Sequence, residues 1–179
     1  MNNADLSPSP QEKRARWLTF VAQLNPETDP GTIRLSGLLH RVAHALYQLS
    51  ESSLSEANLS YAQYRLLMQL MFSEQFEACG GLNPSEISER QGISRNTVSA
   101  LIRNLEAEGL IARQLDEQDR RRFLIRLTSA GRDKVRNHAN HHFGMLHACF
   151  DGLSQAEQAQ MSETLEKLAD NLALSPAGH

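Results

Sequence analysis

Between Asn83 and Gly109 the chain reads NPSEISERQGISRNTVSALIRNLEAEG, and this stretch limits the fold more than any other. Asn83 is a favoured N-cap, Pro84 suits the first helical position, and Glu86 stands where it can complete a capping box. Gln91-Gly92 stops that helix early. Ser94 caps a second helix, in which Val98, Leu101, Ile102 and Leu105 recur at three- and four-residue steps and mark the buried face. Gly109 suits the left-handed position that ends a helix, with Leu110 folding back. Two short helices joined by a tight glycine-containing turn form a helix-turn-helix pattern.

Burying Val98, Leu101, Ile102 and Leu105 leaves Arg95, Asn96, Ser99 and Arg103 outward. Reading a major groove needs such a face. Arginine can bond guanine in a bidentate fashion, asparagine can bond adenine, and the hydroxyls of Ser94, Thr97 and Ser99 can meet phosphate or base. The helix N-terminus itself attracts phosphate. Any amphipathic helix has a polar face, however, so the segment that follows must decide. It reads LIARQLDEQDRRRFLIRL, two short strand-like runs joined by a charged loop. A hairpin directly after a helix-turn-helix makes a winged helix. The loop, with Asp119, Arg120, Arg121 and Arg122, becomes the wing tip, where arginines gain from the negative potential of a minor groove and the backbone. Asp119 is placed to hold Arg121 in one direction by a charge-assisted bond.

Charge agrees with that division. The chain of 179 residues has a formal net charge of −3, which excludes a globally basic nucleic-acid binder. Between Ser85 and Arg136, however, 11 Lys and Arg face 8 Asp and Glu, while the remainder holds 7 against 13. A basic middle on an acidic body fits one polyanion-facing module on a frame.

The frame reads as helices. Residues 1–10 are polar, proline-bearing and expected to be disordered. Gln11 to Leu24 forms a short helix. From Ile33 the positions Leu35, Leu38, Leu39, Val42, Leu46 and Leu49 form one stripe. SESSLSEANLS breaks that helix, and another follows from Tyr61 to Phe72. Thr128 caps a helix running to about Phe150. A last helix from Ser154 carries Met161, Leu165, Leu168 and Leu172 on one face. The fold class is thus mainly α with a small β-wing. The chain lacks a phosphate loop, a metalloprotease helix and a nucleophile motif, so nothing asks for an enzyme or a cofactor. Two distant cysteines, no signal peptide and no membrane-spanning run point to a reduced cytoplasmic setting.

The order and spacing of Gly109-Leu110-Ile111, Arg113, Asp116, Asp119-Arg120-Arg121, Leu127-Thr128 and Gly131 resemble the multiple-antibiotic-resistance regulator (MarR) family of bacterial transcription factors. With the flanking helices the resemblance covers Ile33 to about Leu174. It implies a homodimer whose first and last two helices intertwine and which binds double-stranded operator DNA, usually as a repressor. The domains then read as a tail at 1–10, an extra helix and first dimerisation helix at 11–60, a winged helix-turn-helix at 61–128 and dimerisation helices at 129–174. The extra helix departs from the common pattern; Trp17, Phe20, Val21 and Leu24 are expected to dock it on the dimer interface. Tyr64 stands where many members carry tryptophan.

The resemblance also implies an effector, and three kinds are weighed. A small organic ligand could use His40, His44, Tyr64 and Arg65, although each such residue is more often a packing or surface residue. A metal could use His138 and His142, four apart on one helix. Zinc-sensing relatives draw further ligands from the second helix, where Gln63 and Tyr64 stand here, so a closed site would need His40 or His44. The plainer expectation is partly exposed helix histidines and no metal. Redox sensing would need Cys79, in a loop, or Cys149, expected to be packed. A winged-helix protein-interaction module is the alternative from another class. The arginines, asparagine and serine of the outward face argue against it.

Overall fold

The computed structural model describes residues 9–24, 26–27, 29–77, 80–115 and 122–174. Among them the elements in chain order are α1 (Pro10–Leu24), α2 (Pro30–Leu54), α3 (Tyr61–Phe76), α4 (Pro84–Gln91), α5 (Arg95–Ala107), β1 (Ile111–Leu115), β2 (Phe123–Leu127), α6 (Ser129–Ala148) and α7 (Gln155–Leu174), with a single 3-10 turn at Ser55–Ala57. The chain divides into two compact units, Met1–Gln48 and Leu49–His179, with the cut inside α2.

In the first unit α1 and most of α2 leave large apolar side chains uncovered. Trp17, Phe20, Leu24, Leu35, Leu39 and Val42 are all exposed in the single chain. The rings of Trp17 and Phe20 meet tilted at 39°, with centres 5.8 Å apart. The expected docking residues of the extra helix therefore lie on an open surface, apart from the half-buried Val21.

The second unit holds the core. Leu66, Leu67 and Leu70 of α3 are fully buried and share one cluster with Ile87 of α4, Val98, Ile102 and Leu105 of α5, Ile111, Ile125 and Leu127 of the hairpin, and Val135 of α6. A bidentate pair from Arg132 to Glu74, at 2.8 and 3.0 Å, ties α6 to α3. The serine-rich segment expected to break α2 does so only after Leu54. Ser53 is buried, and its hydroxyl donates to the Ser50 carbonyl at 2.8 Å. Serine competes with the helical backbone when its hydroxyl lacks another partner; here the bond is made within the helix. Likewise α3 runs past Phe72 to Phe76.

One joint holds α5, the hairpin and α6 together. At the end of α5 the Gly109 amide donates to the Glu106 carbonyl and the Leu110 amide to that of Leu105, at 3.0 and 2.9 Å, a Schellman motif with Gly109 at φ +70. Thr128 closes on it from the far side. Its hydroxyl donates to the Gly109 carbonyl at 2.7 Å and accepts from the Gly131 amide at 3.1 Å, while its own amide donates to the Leu110 carbonyl at 3.1 Å. Gly131 is buried against that carbonyl, and a Cβ there would collide with it and press Leu127 at 3.0 Å. The Gly131→Ala variant is expected to lose about 2–3 kcal/mol of unfolding free energy. Urea denaturation followed by circular dichroism measures this, and a loss below about 0.5 kcal/mol would contradict the close approach.

Candidate nucleic-acid interface

The caps that start α4 and α5 are those expected. The Asn83 side chain accepts from the amides of Ser85 and Glu86, and the Glu86 carboxylate accepts from the Asn83 amide at 2.8 Å. Gly92 turns the chain at φ +65. The turn is held by the Ile93 amide, which donates to the Ser88 carbonyl at 3.3 Å, and by the Ser88 hydroxyl, which donates to the Ile93 carbonyl at 2.6 Å. Ser94 then accepts from the Thr97 amide at 3.2 Å and opens α5. Arg90 braces α4 on the end of α3 through Glu77 at 2.7 Å. That guanidinium, then the Ser73 hydroxyl, hold the Glu77 carboxyl below the usual carboxylate range.

Val98, Ile102 and Leu105 face the core, with Leu101 partly buried beside them. On the other side Ser94, Arg95, Asn96, Thr97, Ser99 and Arg103 are all exposed. Asn96 and Arg103, seven residues apart, lie about two turns apart on one outward line. Neither Arg95 nor Arg103 forms an ion pair among the described residues. The hydroxyls are partly committed: Ser94 caps the helix and bonds Thr97, and Ser99 donates to the Arg95 carbonyl at 2.9 Å. The first turn of α5 carries no acid. Its positive dipole end is thus left to an arriving anion.

The hairpin stands beside this helix. β1 and β2 pair antiparallel from Ile111↔Leu127 to Leu115↔Phe123. Arg113 bonds Glu106 of α5 at 3.1 Å, which orients the strand against the helix. The pair is largely exposed and contributes at most about 1 kcal/mol. Arg122, one residue before β2, is exposed. The expected wing-tip residues Asp119, Arg120 and Arg121, and the bond expected between Asp119 and Arg121, lie outside the described residues.

The other candidates fall two in each unit. His40 and His44 are exposed on the first unit, where the His40 ring pairs with the Ser36 carbonyl at 2.8 Å. Tyr64 and Arg65 belong to the second. Tyr64 is buried, its hydroxyl has no partner among the described residues, and burial pushes its phenol up. The Arg65 guanidinium lies 5.8 Å from the Tyr61 ring centre, a cation–π contact.

His142 corrects the expectation of a partly exposed histidine, for it is only 3% exposed. Its ring meets Tyr64 edge-on at 5.0 Å and lies 5.9 Å from Tyr61. Because the Ser53 hydroxyl already donates to Ser50, His142 Nδ1 donates to Ser53, at 2.8 Å. His138 stays half-buried, its Nδ1 paired with the Lys134 carbonyl at 2.9 Å. No three His, Cys, Asp or Glu side chains gather as metal ligands among the described residues. The burial was readable in principle, because His142 stands one heptad step from Val135 on the same face. Cys149 is exposed rather than packed; it lies just beyond α6. Cys79 lies outside the described residues. No described helix is long and apolar enough to cross a membrane.

Comparison with known proteins gives a consistent result. A family model described as MarR family matches residues 57–122. The transcriptional repressor MprA of Escherichia coli (strain K12) is 31% identical over 157 residues, 88% of this chain and 87% of that protein. The crystal structure of the Staphylococcus aureus MepR–DNA complex is similar with a TM-score of 0.68 at 30% identity, over 76% of this chain and 95% of that one. CouR from Rhodococcus jostii RHA1, bound to p-coumaroyl-CoA, is similar with a TM-score of 0.65 at 25% identity, over 81% and 94%.

Burial, and to a lesser degree the neighbouring His141, hold the His142 imidazole below its ordinary value of 6.5. As pH falls below that value the unfolded chain takes up a proton that the folded chain refuses, so this contribution to stability is full above it and is lost toward acid. Unfolding free energy is expected to drop between about pH 7 and pH 5.5, and to drop less in His142→Phe, which keeps a ring against Tyr64. Urea titrations across that range check this. An equal drop in both proteins would contradict it.

Proposed function

Because this chain belongs to the MarR family of transcriptional regulators, we propose that it acts as a homodimer that grips a pseudo-palindromic DNA operator, represses the genes beside it and is released by a small molecule. The observation that carries this reading is the outward face of α5. Arg95, Asn96, Ser99 and Arg103 stand exposed above an acid-free helix start, with a hairpin alongside. A helix placed so for structural reasons alone gains nothing from two arginines without acid partners. Against double-stranded DNA they supply base and phosphate contacts. The same face argues against a protein-interaction module, because it presents no large apolar side chain.

Dimerisation is supported by the apolar residues that the single chain leaves open. Leu35, Leu39 and Val42 on α2, and Met161, Leu165, Leu168 and Leu172 on α7, are exposed at helical spacing. A two-fold dimer brings two recognition helices to half-sites about one DNA turn apart. Repression follows the relative named as a repressor, MprA. A small-molecule effector follows CouR, whose structure holds p-coumaroyl-CoA. The wing-tip residues Asp119, Arg120, Arg121 and Arg122 are assigned to the flanking minor groove and backbone.

The test uses a duplex selected from a randomised pool, with fluorescence anisotropy as the readout. Asn96→Ala and Arg103→Ala are each expected to weaken the selected duplex by about 1–3 kcal/mol, with a much smaller effect on random DNA. Equal losses on both would contradict base reading. Arg121→Glu is expected to weaken binding by about 2 kcal/mol and to flatten the salt dependence, while gel filtration still shows a dimer. An unchanged affinity and salt slope would remove the wing from the interface.

A further inference from the structure

The hairpin ladder sorts its side chains by face. Residues directly opposite across an antiparallel pair share a face, as do residues two apart along a strand. One face therefore carries Ile111 with Leu127, Arg113 with Ile125, and Leu115 with Phe123. Its inner part closes the core, for Ile111, Ile125 and Leu127 are buried. Arg113 reaches Glu106 of α5 at 3.1 Å. Glu106 shares a flank of α5 with Ser99, seven residues earlier, and Arg95, four earlier still. This face of the hairpin is thus turned toward the helix proposed to meet DNA. At its outer end stand Leu115 and Phe123, 55% and 52% exposed. Two large apolar side chains left open side by side mark a contact surface. Support of the ladder does not require them, since a threonine pair holds two strands about as well. Phe123 directly follows Arg120, Arg121 and Arg122, so the apolar pair borders a run of cations. A DNA backbone matches that alternation: its phosphates suit arginine, and the C–H edges of its deoxyribose rings suit leucine and phenylalanine.

We infer that Leu115 and Phe123 pack against deoxyribose rings of the backbone that passes between the groove read by α5 and the groove reached by the wing. The inference rests on the DNA reading above and adds an uncharged contact to it. Anisotropy titrations of the full-length protein test it. Phe123→Ser and Leu115→Ser are each expected to weaken binding about tenfold, on selected and random duplexes alike, because every nucleotide has the sugar. The salt slope stays as in the wild type, since no phosphate contact is lost. Phe123→Leu keeps the apolar contact and is expected to bind within about twofold of the wild type. Single ribonucleotides placed through the flanks of the duplex probe the sugars in the unaltered protein. At the contacted positions the added 2′-hydroxyl is expected to weaken wild-type binding about threefold or more and to leave Phe123→Ser unaffected. Serine variants that bind as well as the wild type would overturn the inference alone, leaving the DNA reading in place. A loss with a flattened salt slope would overturn it too, because the arginines would then have moved. So would ribose tolerated at every flanking position, or self-association without DNA that Phe123→Ser abolishes. A wild-type protein that binds no duplex would remove the DNA reading and this contact with it.

Discussion

The functional face depends on a joint of a few atoms. The carbonyls of Gly109 and Leu110, left over where α5 ends, are taken up by the hydroxyl and amide of Thr128, and the missing side chain of Gly131 lets the start of α6 reach them. Through this joint the end of α5, the return strand of the hairpin and α6 share one anchor. The bond to the Gly109 carbonyl lies at the surface, whereas the Leu110 carbonyl is taken up beside the buried Leu110 and Gly131, where leaving it unpaired is expensive. The Arg113–Glu106 pair adds orientation at the surface but little energy.

The start of α5 is electrostatically unfinished. α4 has Glu86 in its first turn, whereas α5 begins with arginine and no acid. Cationic charge at the positive end of a helix dipole disfavours the helix by a fraction of about 1 kcal/mol. The buried face of Val98, Ile102 and Leu105 and the Ser94 cap offset this. A phosphate group arriving at that end turns the unfavourable arrangement into a favourable one. The chain thus bears a small local cost that a bound phosphate would remove, consistent with the proposed DNA contact.

Much of this was legible in the sequence because capping is local. Asn83 with Glu86, Ser94, Gly109 and Thr128 act within a few residues of themselves, and each does in the structure what its spacing predicts. The outward set on α5 followed from period alone. What depended on distant partners was read less well. The sequence suggests a partly exposed His142, and only the packing of Tyr61 and Tyr64 of α3 against it makes it buried. Cys149 sits beyond the last covered turn of α6, which no local signal marks. α2 runs further than the serine-rich stretch suggests, because the Ser53 hydroxyl is satisfied inside the helix.

The central claim is that α5 enters a major groove in each of two half-sites. Guanine N7 lies on the major-groove floor, whereas adenine N3 lies in the minor groove. Methylation interference on a selected duplex separates the two directly. The account predicts that methyl groups on guanine N7 block binding at two clusters about 10 base pairs apart, with adenine N3 effects confined to the flanks where the wings reach. Interference at adenine N3 alone, or binding indifferent to methylation at every guanine of the site, would contradict it.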